Sequence, residues 1–218
     1  MSRLIAFGSS PIIYTHSKDT SLENVTYPAI IAQKLDREYL CIAKRWMSNS
    51  KIARKILSFE FEPGDVVLVT WTSTMRAEFR SEHGWFGINR ESIKSGSFEE
   101  TWYQGPGNWE YTSIMTALKE MLLAQTFLKS KGISYLFLFD NSEYLQSYRV
   151  ANPDEYLGAM ISMLDQTCIL SFENNNGFIN WCQEEKYEFD GVPGEKRGYP
   201  IQAAHQRAAE YILTKFQY

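Results

Sequence analysis

Short apolar runs that end in small or polar residues alternate with helical segments along most of this chain. The first run, residues 4–7, leads directly into Gly8, Ser9 and Ser10. An apolar run bounded by turn residues predicts a short buried strand. Strands are predicted near residues 3–8, 38–43, 65–71 and 133–139. Because helical segments separate them, we expect a parallel sheet covered by helices on both faces, a three-layer α/β/α architecture of one domain over residues 1–218.

The predicted helices follow from apolar residues at helical spacing and from their caps. Pro28 suits a first turn, Ser48 offers an N-terminal cap, and Gly132 is typical of a helix end. The expected helices cover residues 27–35, a segment that begins at 48–50, residues 111–131, 156–164 and 178–185, and a last helix from Pro200 to about Phe216.

The segment from about 72 to 110 interrupts the alternation. It is rich in aromatic residues, among them Trp85, Phe86, Trp102, Tyr103 and Trp109, and has little periodicity. A loop of this length in a compact domain is usually functional or forms a subunit contact. We therefore expect residues 80–109 to pack over the carboxyl edge of the sheet, or to contact another protein chain.

Composition narrows the functional classes. The 218 residues carry a formal net charge of −4 with acids and bases intermixed, so nucleic acid is not an expected partner. Neither a membrane span nor a secretory leader is visible, which predicts a cytoplasmic protein. Cys41, Cys168 and Cys182 are too widely spaced for a metal motif, and their odd number argues against a disulfide framework. We expect no metal and no cofactor.

Ser10 is the first candidate nucleophile. It lies just beyond the carboxyl end of the first predicted strand, where open α/β sheets place their ligands. A simpler interpretation is that Ser9 and Ser10 hydrogen-bond the turn or cap a helix. These residues alone leave both interpretations open.

The order of the segments resembles the SGNH (GDSL-type) hydrolases, and most closely a hydrolase-like branch from phages and marine bacteria. The resemblance rests on residues 7–10 after the first strand, residues 71–73 with Arg76 after the third strand, and residues 198–200 followed by His205. It implies a serine nucleophile activated by a histidine that an aspartate orients. It also implies an oxyanion hole built from the serine N–H, a glycine N–H and an asparagine side chain.

Carried over residue by residue, the resemblance places Ser10 at the nucleophile position. Trp46 stands where the oxyanion glycine is expected, and Ser73 stands where the asparagine is expected. Tyr199 stands at the base position, which the family fills with histidine. A tyrosine has an ordinary pKa of about 10, so it is not a ready base at neutral pH.

Other residues are alternative bases or orienting groups. His205 shares an apolar helix face, which favours a core histidine over a displaced base, although both interpretations are kept. His83 lies in the aromatic segment and is a second alternative base, whereas His16 falls in a polar stretch and is expected to be solvated. Asp140 and Asp190 are orienting groups by position, or else turn residues.

Two functions follow from the resemblance. Because three catalytic positions are substituted together, we predict a degraded site in a non-catalytic binding or structural module, which the phage resemblance would make a virion component. The alternative is an active serine esterase or deacetylase that uses Ser10 with a displaced histidine, His205 or His83. The expected ligand is an acylated carbohydrate or another ester, and a protein partner is expected at the aromatic segment.

Overall fold

The computed structural model describes residues 2–9, 12, 26–74, 76–82, 84–89, 109–141, 155–190 and 199–215. In these ranges the strands are β1 (Arg3–Gly8), β2 (Glu38–Cys41), β3 (Val66–Trp71), β4 (Arg76–Ser81), β5 (Gly84–Asn89), β6 (Ser134–Phe139), β7 (Phe189–Asp190) and β8 (Tyr199–Pro200). The α-helices are α1 (Tyr27–Lys34), α2 (Asn49–Leu57), α3 (Trp109–Ser130), α4 (Glu155–Met163), α5 (Phe178–Glu184) and α6 (Gln202–Lys215).

The central sheet is parallel and has the strand order β2-β1-β3-β6. The predicted strands are confirmed, with β2 ending at Cys41 rather than at residue 43. The chain leaves β1 to one side to form β2 and then returns to form β3 on the other side of β1. This reversal makes the carboxyl ends of β1 and β3 a topological switch point, where open α/β sheets bind their ligands.

Alternate side chains of the buried strands enter two separate cores, as the pleat of a strand requires. Phe7 and Val69 pack on one face of the sheet with helices α2, α3 and α4. Leu4 and Leu68 pack on the other face with helices α1, α5 and α6. The three-layer α/β/α architecture expected from the sequence is therefore confirmed.

The predicted helix ends hold with small shifts. The Lys51 N–H donates to the Ser48 hydroxyl over 3.1 Å, which is the N-terminal cap expected for α2. Gly132 follows α3 with a φ of 66°, the left-handed conformation that favours glycine after a helix. The last helix begins at Gln202 rather than at Pro200, because Pro200 lies opposite Phe189 in the short β7–β8 pair.

The segment after β3 contains structure that the sequence analysis did not predict. Strands β4 and β5 form an antiparallel hairpin, with Arg80 opposite Trp85. Strand β4 carries charged residues on one face, and β5 contains two glycines. Neither strand therefore shows the alternation of apolar residues from which a hairpin is predicted. Residues 90–108 of the segment lie outside the described residues.

Within the described part of the chain, every helix is too short or too polar to cross a membrane.

Candidate functional site

The candidate site lies at the switch point, where β1, β3 and β6 end. The strands approach so closely that a Cβ atom at Gly8 would lie 2.9 Å from the Thr70 carbonyl oxygen. Real Cβ atoms do not approach that closely, so a residue without a side chain is needed here. Ser9, Thr72 and Asp140 are the next residues after these three strands, and all three are buried.

A chain of hydrogen bonds joins these three strand ends through Arg76, the first residue of the hairpin. Its Nη1 donates to Ser9 Oγ over 2.8 Å and to Thr72 Oγ1 over 2.5 Å. The Thr72 hydroxyl in turn donates to Asp140 Oδ2 over 2.9 Å. We call Ser9, Arg76, Thr72 and Asp140 the edge network.

Asn49, the first residue of α2, fixes the backbone of this network. Its Nδ2 donates to the Thr72 carbonyl over 3.1 Å, and its Oδ1 accepts from the Thr72 N–H over 2.9 Å. The Asn49 side chain thereby satisfies both backbone groups of a buried residue where no β-ladder continues. The position of Thr72 is therefore set by helix α2 as well as by strand β3.

Asp140 is the titratable group at the centre of the site. Burial raises its pKa to about 6, although the nearby Arg76 charge and the Thr72 hydroxyl favour the ionised form. Its Oδ1 is buried and has no hydrogen-bond partner in the described part of the chain. This carboxyl group therefore changes its charge close to neutral pH, at the end of a strand where ligands bind.

The backbone around Asp140 is packed against the start of α5. The Ile179 N–H donates to the Asp140 carbonyl over 2.9 Å. A Cβ atom placed on Gly177 would lie 2.5 Å from the Asn141 carbonyl carbon, well inside contact distance. The absence of a side chain at Gly177 therefore allows α5 to approach the end of β6.

Trp46 lies beside the edge network in the loop that follows β2. Its indole is 54% exposed, and the Arg76 guanidinium lies 5.3 Å from the ring centroid. Its backbone has a φ of 62°, in the left-handed region that is rare for a bulky residue. Glycine adopts this conformation readily, and glycine is the residue that the resemblance places at this position.

The remaining sequence candidates divide into three groups. Ser73 is buried at the same edge, and its carbonyl accepts from the Arg76 N–H over 3.3 Å. Ser10, His16 and His83 lie outside the described residues. The backbone of Tyr199 pairs with that of Asp190 in the β7–β8 ladder, while both side chains lie outside the described part.

His205 occupies the core on the other side of the sheet from α2. It is 1% exposed, and its Nδ1 accepts from the Tyr27 N–H over 3.2 Å. Its ring contacts the rings of Tyr27 and Phe178, with centroids 5.9 Å and 4.9 Å apart. Burial lowers its pKa to about 3, so the ring is neutral at physiological pH. These contacts are those of a core histidine.

Thr72 and Asn49 were not singled out as site residues from the sequence, and Arg76 was noted only as a landmark. Thr72 and Asp140 each follow a buried strand, so their juxtaposition follows from the parallel topology. The links from Arg76 to Ser9 and from Asn49 to Thr72 join distant segments, for which the sequence carries no pattern.

In the ranges that the structure covers, we find no cluster of three or more histidine, cysteine or carboxylate side chains that could hold a metal ion.

No protein-family model matches this chain, and no curated protein matches it. Solved structures do. A putative lipolytic protein of the G-D-S-L family from Desulfitobacterium hafniense has a TM-score of 0.54 at 10% identity, covering 98% of this chain and 99% of that chain. A member of the lipolytic G-D-S-L family from Veillonella parvula has a TM-score of 0.47 at 11% identity, covering 99% and 98%. An acetyl xylan esterase, AlAXEase, has a TM-score of 0.49 at 10% identity over 100% of both chains.

The similarity to the Desulfitobacterium hafniense protein is the one on which we base a conclusion. At 10% identity, this similarity shows the fold alone. It agrees with the parallel sheet, its switch point and the helix layers described above. The chain therefore has an SGNH (GDSL-type) hydrolase-like fold.

Proposed function

We propose that this chain binds an ester ligand, such as an acylated carbohydrate, at the carboxyl edge of its sheet without hydrolysing it. The observation that carries the proposal is the hydrogen-bond partner of Ser9, the residue that follows β1 and precedes the candidate nucleophile Ser10. That partner is the guanidinium of Arg76, which donates to the hydroxyl. An arginine stays protonated in proteins and cannot accept a proton, so Arg76 orients this hydroxyl but does not activate it.

The environment of His205 supports the same proposal. One ring nitrogen accepts from the Tyr27 backbone, and aromatic rings surround the side chain. A general base works best with a pKa near the working pH. Burial lowers the pKa of His205, so this ring is poorly suited to take up a proton. The loss of a general base typically lowers a rate by about a hundredfold to ten-thousandfold.

The edge network and the neighbouring Trp46 also supply groups suited to binding. Arg76 offers donors for a carbonyl oxygen, and the exposed Trp46 indole beside it offers a flat apolar surface. Arg76 bonds to Ser9 and to the Ser73 carbonyl at the switch point, and the Trp46 ring lies against Arg76. An ester group bound there would meet hydrogen-bond donors and an aromatic wall.

One observation favours hydrolysis as a second function. The pKa of Asp140 is raised to about 6, which is close to the value that suits a general base at neutral pH. This carboxyl is joined to Ser9 through Thr72 and Arg76. In the second function, Ser10 would attack the ester and a nearby base would take its proton.

Hydrolysis of short-chain nitrophenyl esters separates the two functions. We expect the wild type to be no faster than Ser10→Ala, and Tyr199→His to gain little because triad members and oxyanion donors act as a unit. Ester binding is followed by the fluorescence of Trp46, with Trp46→Phe as the control for the signal. Turnover that depends on Ser10 and is abolished by Asp140→Asn, His205→Ala or His83→Ala would establish the esterase instead.

A further inference from the structure

We infer that a basic, aromatic surface next to the edge network binds a carbohydrate chain that carries carboxylate or sulfate groups. The inference rests on the proposed function, because it names the class of ligand that would bring an ester to the edge. The surface consists of residues 44–46, the exposed side of α2, and the exposed residues Arg80 and Trp85 of the β4–β5 hairpin beside α2. We call it the basic surface.

The charge of this surface is opposite to that of the whole chain. Residues 39–59 contain five lysines and arginines and no acidic residue, whereas the chain has a net charge of −4. The cations in this stretch are Lys44, Arg45, Lys51, Arg54 and Lys55. Such a local excess of positive charge attracts an anionic ligand.

Ion pairs hold the hairpin against α2, so the charged residues of the two elements lie on one surface. Glu78 accepts from Arg54 Nη2 over 2.6 Å, and Lys51 Nζ lies 3.7 Å from the other carboxylate oxygen. The Glu78 side chain is only 5% exposed, so this acid anchors the hairpin and is hidden from a ligand. Arg76 and Arg80 lie on the same face of β4 as Glu78, because alternate strand residues share a face.

Two tryptophans of this surface are exposed and held in place. Trp85 is 47% exposed, with the Arg54 guanidinium 4.0 Å from its ring centroid, and Trp46 is 54% exposed against Arg76. These cation–π contacts fix the rings although they face solvent. Rigid aromatic faces suit the C–H faces of sugar rings, and the nearby cations suit carboxylate or sulfate groups.

The basic surface is continuous with the proposed ester site. The Arg76 guanidinium that contacts the Trp46 ring also donates to Ser9 and Thr72. A carbohydrate chain on the basic surface would therefore deliver an acyl group to the edge of the sheet. A nucleic acid fits less well, because it carries no acyl ester and its dense charge would oppose the net negative charge of the protein.

Titration with defined polymers tests the inference. The probes are galacturonate oligomers for carboxylate, dextran sulfate for sulfate, neutral xylo-oligosaccharides and oligo-dT, followed by tryptophan fluorescence and calorimetry. We expect an acidic carbohydrate to bind, and binding to one acidic polymer alone would identify the charged group. Binding should weaken about threefold to tenfold in Trp85→Ala, since an exposed cation-flanked aromatic contributes about 1 kcal/mol.

The matched variants are Lys44→Gln with Lys55→Gln, and Lys34→Gln with Lys186→Gln. Both remove two positive charges, but Lys34 belongs to α1 and Lys186 follows α5, in the opposite layer. We expect only the double variant at Lys44 and Lys55 to bind more weakly than the wild type. Circular dichroism and thermal melting check that both double variants are folded. The inference is overturned if both pairs bind equally, if neutral chains bind as well as acidic ones, or if oligo-dT binds best. Ester turnover with acidic binding retained would overturn only the proposed function.

Discussion

The two ends of strands β1 and β3 each bring an arginine towards an aspartate, but in different ways. At the amino end, Arg3 contacts both carboxylate oxygens of Asp65 directly, over 3.0 Å and 2.6 Å. At the carboxyl end, the Thr72 hydroxyl stands between Arg76 and Asp140. An aromatic ring lies near both arginines, but the pair is direct at the amino end and has a threonine between its members at the carboxyl end.

The two aspartates consequently have opposite pKa shifts. Burial acts to raise the pKa of Asp65, but the bonds from Arg3 and the Glu62 N–H outweigh it, so the pKa is lowered. Burial dominates at Asp140, whose pKa rises to about 6. The direct pair with Arg3 keeps Asp65 ionised at neutral pH, so its charge stabilises the fold. Asp140, which Thr72 separates from Arg76, instead changes its charge near neutral pH. The second arrangement is typical of functional sites.

The largest effect on the free energy of unfolding is expected at the amino end of β1 and β3. Asp65→Asn removes the charge that Arg3 binds bidentately, and we expect the free energy of unfolding at pH 7 to fall by about 2–3 kcal/mol. Because the folded pKa of Asp65 is lowered, its contribution is present above pH 4 and is lost as the pH falls below that value. Urea denaturation between pH 3 and pH 7 measures both effects, and an unchanged variant would show that this pair is not stabilising.

Asp140→Asn, the matching substitution at the carboxyl end, should raise rather than lower the free energy of unfolding. The folded state of Asp140 keeps its proton up to a pH of about 6, so the contribution of this group to wild-type stability decreases as the pH rises from 4 through 6. Asp140→Asn resembles the protonated form and should raise the free energy of unfolding at pH 7.5 by about 1–2 kcal/mol, with a smaller gain at low pH. A loss of stability at pH 7.5 would mean that Arg76 needs the ionised carboxylate as its partner.

The smallest effect is expected for the aromatic neighbour of Arg76. Trp46→Gly relieves the left-handed backbone of a bulky residue, which costs about 1–2 kcal/mol. The gain is offset by the greater freedom of glycine in the unfolded chain and by the lost cation–π contact, together also about 1–2 kcal/mol. We expect a change in the free energy of unfolding of less than about 1 kcal/mol by urea denaturation. A large loss would show that Trp46 supports the fold rather than the site.

The fold was predictable because its determinants are local. Four apolar runs of strand length, separated by helices with recognisable caps, specified the parallel sheet. The place of His205 in the core was also indicated by the apolar residues on its helix face. These patterns reflect burial, which leaves a periodic trace in the sequence.

The edge network was less predictable because two of its three hydrogen bonds join distant segments. Thr72 and Asp140 are 68 positions apart, and Arg76 reaches back 67 positions to Ser9. The hairpin that carries Arg76 is partly exposed and shows no apolar period. The sequence therefore indicated which edge would hold the site, but not which side chains would meet there.

The close approach between Gly177 and Asn141 limits how this protein can vary. The φ of Gly177 is −76°, which any residue can adopt, so the restriction comes from space alone. Even an alanine would place its methyl group against the backbone of Asn141, the residue that follows Asp140. In a library of random variants, position 177 should therefore accept glycine only, and it would be a better marker for recognising related sequences than the position that Trp46 now fills.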